Sequence, residues 1–137
     1  MPALTGVLET ALYVDDLDRA SRFYEEVFDL PRIAGDDRLR AYGVAPRSVL
    51  LLFKRGASNC VTQLPGGTLG PHDGSGQLHM AFSIPAEDLS SWEGKLTERQ
   101  IAIESRVTWP RGGTSIYFRD PDQNLVELAT PGVWSIY

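Results

Sequence analysis

One order of elements runs through this chain twice, and that repeat restricts the possible folds more than any other feature. Leu8–Val14 is rich in strand formers and reads as a strand. The stretch "DDLDRASRFYEEVFDLP" follows, with Leu17, Ala20, Tyr24, Val27 and Phe28 at helical spacing on one face. Asp15 or Asp16 can cap its start, and Pro31 marks its end. Short strands are then expected around Arg32–Ala34, Leu39–Val44 and Val49–Lys54, divided by the turns "GDD" and "APRS". The second half repeats this order. Leu78–Ile84 is a strand, and "PAEDLSSWEGKLTERQ" is a helix with Leu89, Trp92 and Leu96 on one face and acids in its first turn. Strands follow at Ile101–Trp109, Thr114–Arg119 and Leu125–Thr130. Each half reads β-α-β-β-β, so the modules span about 5–55 and 77–131. Residues 56–76 are rich in Gly and Pro, too long for a tight turn, and read as a linker able to cover a site.

Superposing the halves sharpens one puzzle. Three apolar runs each carry an ionisable residue: Glu9 in "GVLETALYV", His79 in "QLHMAFSI" and Glu127 in "QNLVELAT". A charge buried without a partner costs several kcal/mol. Each residue alone is compatible with a half-exposed strand or a hydrogen-bonded core histidine. Laying "ETALYV" on "HMAFSI" sets Glu9 on His79 and Ala11 on Ala81. Laying "AYGVAPRSVLLLFKRG" on "IYFRDPDQNLVELATPG" with one gap sets Tyr42 on Tyr117, Pro46 on Pro121, Leu51 on Glu127 and Gly56 on Gly132. If the halves pack about a pseudo-twofold axis, Glu9, Leu51, His79 and Glu127 face one cavity. Three of those four can bind metal.

Composition narrows the class of function. A length of 137 residues, 42% hydrophobic and 23% charged, is ordinary for one globular domain. A net charge of −5 with no basic stripe argues against nucleic acid and anionic membrane surfaces. No apolar run approaches a membrane span, and "MPALTGVLET" lacks the pattern of a signal peptide. The lone Cys60 excludes an internal disulfide and suits a reducing cytoplasm. The expectation is a soluble cytoplasmic protein acting on, or binding, a small molecule.

The stretches "ETALYVDDLDRASRFYEEVFDLP", "QLHMAFSIP" and "YFRDPDQNLVELATPG", with the doubled element order, cover nearly the whole chain. They resemble the vicinal-oxygen-chelate superfamily of glyoxalase I, bleomycin-resistance proteins, fosfomycin-resistance enzymes and extradiol dioxygenases. The resemblance implies an α+β fold in which paired βαβββ modules form a curled mixed sheet around a cleft. It also implies a homodimer. In metal-dependent relatives the ligands come from the first and last strands of the modules. Carried over, those places are Glu9, Leu51, His79 and Glu127. Glu9 stands where a histidine or glutamine is more usual, and Leu51 where glyoxalase I has a metal-binding glutamate. Extradiol dioxygenases and fosfomycin enzymes use two histidines and one glutamate; this chain offers one histidine and two glutamates.

Glu9, His79 and Glu127 suit a divalent ion: Mn²⁺, Fe²⁺, Ni²⁺, Co²⁺ or Zn²⁺. A substrate with two adjacent oxygens can then chelate, and the ion acts as a Lewis acid. Glu127 can also take a proton as a general base. Arg111, on the Gly-containing turn of "WPRGGTSIY", can clamp an anionic group or be solvated. Tyr117 can line the cavity and donate a proton, or pack with a polar tip. Trp109 can form a cleft wall or core. His72 in "GPHDGSG" can close over the cleft or be solvated. Asp120, Pro121, Asp122 and Asn124 form a structural turn. The reading is a metal-dependent lyase, isomerase or dioxygenase. The alternatives are a metal-free drug-binding protein and a structural dimer with a vestigial cleft.

Overall fold

The computed structural model describes all 137 residues and divides into two compact units, Met1–Ser75 and Gly76–Tyr137. Unit 1 contains β1 (Glu9–Val14), α1 (Leu17–Phe28), β2 (Arg32–Gly35), β3 (Leu39–Ala45), β4 (Ser48–Lys54), β5 (Thr62–Leu64) and β6 (Gly67–Leu69). Unit 2 contains β7 (His79–Ser83), a 3₁₀ turn at Ala86–Asp88, α2 (Leu89–Glu98), β8 (Ser105–Thr108), β9 (Thr114–Arg119) and β10 (Leu125–Ala129). Each unit has a four-stranded mixed sheet, ordered β1-β4-β3-β2 and β7-β10-β9-β8. The first strand of each sheet lies parallel to the last strand of its module. Parallel neighbours need a long crossover, which the helix and two intervening strands supply.

Local chemistry accounts for the α1 boundaries. Asp16 has an extended backbone, and its carboxylate accepts from the Arg19 N–H at 3.1 Å. That hydrogen bond holds the Asp16 carboxyl below its ordinary pKa. The helix ends where Asp29 turns left-handed, at φ 53°, two residues before Pro31. Its face of Leu17, Ala20, Tyr24 and Val27 is buried. It packs on β3 and β4, where Leu50 and Leu52 point the same way as Leu12 and Val14 of β1. In the second helix the expected acidic first turn, Glu87 and Asp88, is instead the 3₁₀ turn. The last two strands of the repeat fall where expected; β8 is shorter, because only Ser105–Thr108 find ladder partners on β9.

Strand register tests the superposition of the halves directly. Ala11 stands opposite Leu51 in unit 1, and Ala81 opposite Glu127 in unit 2. Glu9 is opposite Val49, and His79 opposite Leu125. Glu9 and His79 are therefore equivalent, as are Leu51 and Glu127. The match of Tyr42 with Tyr117 is overturned. Tyr42 pairs with Leu50, whereas Tyr117 pairs with Glu127, so the counterpart of Tyr117 is Ala41. The gap that the superposition needs in the turn is absent, and a bulge interrupts β3 between Gly43 and Ala45. A one-residue slip moves a side chain to the other face of a sheet. Tyr42 is accordingly fully buried, its hydroxyl donating to Glu25 Oε1 at 2.9 Å.

Residues 56–76 are more ordered than a linker. They carry the β5–β6 hairpin and belong to unit 1 as far as Ser75. The Tyr13 hydroxyl and His72 Nδ1 share a hydrogen bond at 2.7 Å, and the Gly56 N–H donates to Asp73 Oδ1 at 3.1 Å. Gly74 lies so close to the Tyr13 ring that an added Cβ would sit 2.5 Å from Cδ2. No helix of the chain is long and apolar enough to cross a membrane.

Candidate functional site

Unit 2 separates its sheet into two chemically different faces. Met80, Ile116, Phe118, Val126 and Leu128 are buried on one side. That side carries α2, tied by its Glu93 to Arg106 of β8 and closed by the buried Leu96. By strand alternation the opposite side presents His79, Ala81 and Ser83 from β7, Glu127 and Ala129 from β10, and Ser115 and Tyr117 from β9. Glu127 is only 7% exposed, so its lone pairs need partners within the protein.

Those partners form a directed chain. Trp109 Nε1–H donates to Ser115 Oγ at 2.8 Å, and Ser115 Oγ–H donates to Glu127 Oε2 at 2.6 Å. The second oxygen, Oε1, faces His79 Nε2 at 3.3 Å. The other ring nitrogen, His79 Nδ1, lies 2.9 Å from the Leu125 carbonyl. A carbonyl only accepts, so Nδ1 carries the proton and a neutral ring turns the Nε2 lone pair toward Oε1. Two acceptors then face each other, and either a proton or a cation must lie between them. A protonated imidazole beside a carboxylate closes to about 2.7–2.9 Å. The separation here is wider than that. An imidazole nitrogen and a carboxylate oxygen are both donors that divalent ions take, so the pair is compatible with a metal, although no third His, Cys, Asp or Glu joins it as a ligand set.

A cavity of about 280 Å³ adjoins the pair, walled by Phe82, Trp109, Val133, Trp134 and Tyr137. Its polar lining includes His79, Ser83 and Glu127, with no lysine or arginine.

Among the residues singled out from sequence, the structure brings His79, Glu127, Tyr117 and Trp109 together in unit 2. The His79 and Tyr117 rings lie 6.2 Å apart. Glu9 lies in unit 1, exposed at the start of β1, at the register position of His79. Within neither unit do three His, Cys, Asp or Glu side chains gather as a ligand set. Arg111 is on the exposed turn between β8 and β9, outside the cavity lining. His72 sits against Tyr13 and Phe53 of unit 1. Sequence reasoning missed Ser115, although its place two residues before Tyr117 on one strand marks the same face. It also missed Trp134 and Tyr137, which lie beyond the last strand, where no periodicity applies.

Ser115→Ala is expected to cost about 1–3 kcal/mol, because it leaves the Trp109 N–H and a Glu127 oxygen without a partner. A urea titration with unchanged slope reads this directly.

Three of the five tyrosines are expected to resist ionisation. Burial raises the Tyr117 phenol; the Ser115 hydrogen bond opposes this and the Glu127 charge adds to it. Burial raises Tyr13, with Asp73 adding, and burial raises Tyr42. The fold favours the neutral phenol in each case. That contribution is fully present below about pH 10 and is lost as pH rises through the folded values. Phenolate absorbance should show Tyr13, Tyr42 and Tyr117 ionising above the ordinary tyrosine range, with stability falling from about pH 10 upward.

Comparison with known proteins identifies the family. The glyoxalase/bleomycin resistance protein/dioxygenase superfamily profile matches residues 6–128. A metallothiol transferase FosB of Bacillus licheniformis is 29% identical over 132 residues, covering 96% of this chain and 79% of that protein. A fosfomycin resistance protein FosX of Listeria innocua is 28% identical over 128 residues, covering 91% of this chain and 89% of that protein. Among solved structures, lactoylglutathione lyase from Agrobacterium tumefaciens superposes with a TM-score of 0.88 at 31% identity. That match covers 98% of this chain and 99% of the other.

Proposed function

This chain belongs to the glyoxalase/bleomycin resistance protein/dioxygenase superfamily, and on that premise we propose that it is a divalent-metal-dependent enzyme. Its substrate is a small molecule with two adjacent oxygens, and its reaction is of lyase, isomerase or dioxygenase type. The observation that carries this is the pair of acceptors, His79 Nε2 and Glu127 Oε1, facing each other at 3.3 Å. Relatives named as a metallothiol transferase, a fosfomycin resistance protein and a lactoylglutathione lyase support the class. Their names span several reactions and do not choose one.

His79 and Glu127 hold the ion in this reading. An imidazole and a carboxylate suit Mn, Fe, Ni, Co or Zn. When bound, the ion supplies Lewis-acid stabilisation of negative charge on a substrate oxygen. The chain's own groups set the stage. The Leu125 carbonyl fixes the His79 tautomer, and Ser115 fixes the Glu127 carboxylate. Glu127 acts mainly as a ligand, since a second role as base requires release from Ser115. Tyr117 keeps its proton at neutral pH and can donate a hydrogen bond to a bound oxygen. Trp109 walls the cavity. Arg111 is the candidate for an anionic substituent reaching past it. Leu51 removes one carboxylate that glyoxalase I would use, which favours chemistry needing a single protein base. A homodimer completes the proposal.

Elemental analysis of protein purified without a metal-affinity tag tests it. About one transition-metal ion per chain, and a melting temperature that falls on chelation, are expected. The apolar cavity and Leu51 favour a second reading, a metal-free small-molecule binder. No uptake of any of the five ions, with melting indifferent to chelator, selects that reading and ends the first.

A further inference from the structure

Glu127 gives one oxygen to Ser115 and turns the other to His79, yet the torsion that ends a glutamate side chain is soft and roughly two-fold. A group beyond the carboxylate must therefore hold it. Ser115 is fully buried, and its hydroxyl has one proton and two acceptor lone pairs. The indole of Trp109 can only donate. Its N–H, 2.8 Å from Ser115 Oγ, takes one lone pair and turns the hydroxyl proton elsewhere. That proton points to Glu127 Oε2 at 2.6 Å, inside the range of about 2.5–2.7 Å for a hydroxyl on an ionised carboxylate. Donation from the indole makes the hydroxyl a stronger donor in turn. A cavity wall alone would be served as well by phenylalanine; the N–H is what this geometry uses.

Trp109 is itself fixed. It opens the turn between β8 and β9, where its N–H donates to Gly113 O at 2.8 Å and its carbonyl accepts from the Gly112 N–H at 2.9 Å. The far side of that turn is pinned to the chain leaving β10. The Gly113 N–H donates to Gly132 O at 3.1 Å, the Thr130 N–H to Thr114 O at 3.0 Å, and the Thr114 N–H to Thr130 Oγ1 at 2.8 Å. A Cβ on Gly113 would lie 2.6 Å from the Gly132 carbonyl carbon, and Gly132 has φ +103°, so this crossing requires glycine. The strand that carries Glu127 thus runs on directly into the clamp that holds the indole orienting Glu127.

We propose that Trp109 is a positioning residue: acting through Ser115, its indole N–H fixes which oxygen of Glu127 faces His79, and Thr130–Gly132 hold it in place. Its effect on an ion rests on the metal reading above; the link from Trp109 to Glu127 does not.

The test has two arms on full-length protein. In metal-free protein the three tryptophans give three indole N–H resonances, and Trp109→Phe identifies its own by loss. Should that variant fail to fold, Trp92→Phe and Trp134→Phe identify it by elimination. Glu127→Gln is expected to move the Trp109 resonance upfield, because an amide carbonyl draws the Ser115 proton less and leaves the Ser115 oxygen a poorer acceptor. An unmoved resonance overturns the proposal. The second arm measures Zn²⁺ and Mn²⁺ affinity by calorimetry for Trp109→Phe, Ser115→Ala and the double variant. Each single change should weaken the ion about tenfold, and the double variant should bind within about twofold of Ser115→Ala. Losses that multiply in the double variant show that Trp109 does not act through Ser115 and overturn the proposal. So does a Trp109→Phe variant that binds the ion as the wild type does. If the wild type takes up none of the five ions, the metal reading falls and the first arm alone decides this one.

Discussion

Glu127→Gln is expected to lower affinity for the divalent ion by at least about 100-fold while raising the stability of metal-free protein. Both signs come from one geometry. Glutamine keeps the volume, and its carbonyl can still accept from Ser115 Oγ, as Oε2 does at 2.6 Å. Its amide N–H then faces the His79 Nε2 lone pair, where Oε1 now stands at 3.3 Å. An acceptor–acceptor opposition becomes a hydrogen bond, a net gain of about 1 kcal/mol. The same change removes an anionic ligand, and even outer-shell changes cost about 10–100-fold in metal affinity. Wild type at 100 times its dissociation constant for the ion gains about 2.7 kcal/mol. Melting curves should therefore cross: the variant melts higher in chelator, the wild type higher in metal. A variant that melts lower than wild type in chelator would show that Glu127 and His79 share a proton in the resting protein.

Asp120→Ala is expected to be the most destabilising single change outside the hydrophobic core, at about 3 kcal/mol. Asp120 and Asn124 are 2% and 0% exposed. Asp120 Oδ1 accepts from the N–H groups of Asp122 and Asn124, each at 2.9 Å, and Oδ2 accepts from Asn124 Nδ2 at 3.0 Å. Asn124 Oδ1 in turn accepts from the Leu78 N–H at 2.9 Å. Alanine orphans three donors, each costing about 1–3 kcal/mol when buried, and nearby water recovers part of that. Leu78 precedes His79, so the damage reaches the site: the variant should also bind the ion more weakly. Asp120→Asn should cost less, about 1–2 kcal/mol, since one of its two side-chain acceptors is kept. Urea titrations placing Asp120→Ala within about 0.5 kcal/mol of wild type would remove the network from any part in holding the site.

Much of the fold was legible because its signals are local. Asp16 caps α1 as its position suggests, and the apolar stripe of Leu17, Ala20, Tyr24 and Val27 is the buried one. The superposition of halves placed Glu9 with His79, and Leu51 with Glu127, because adjacent parallel strands keep a constant register. It failed at Tyr42, because the gap it placed in the turn has no counterpart in the structure: Ala41 to Leu51 and Tyr117 to Glu127 run in step. Residues 56–76 read as linker because Gly and Pro dominate them, while their order comes from distant partners such as Tyr13. The hydrogen bonds that orient the site were not legible at all. Ser115 is 12 residues from Glu127, and the Leu125 carbonyl is 46 from His79.

By itself, then, the sequence determined the doubled β-α-β-β-β order, the family, and which strand positions share a rung. Strand alternation has a period of two, and a repeat carries that period from one half to the other. Only the tertiary structure decided that Glu127 is held by Ser115, that His79 turns its free nitrogen to that carboxylate, and that the tail brings Trp134 to the cavity. Hydrogen bonds act over about 3 Å, and residues far apart in sequence come within that range only once the sheet has closed.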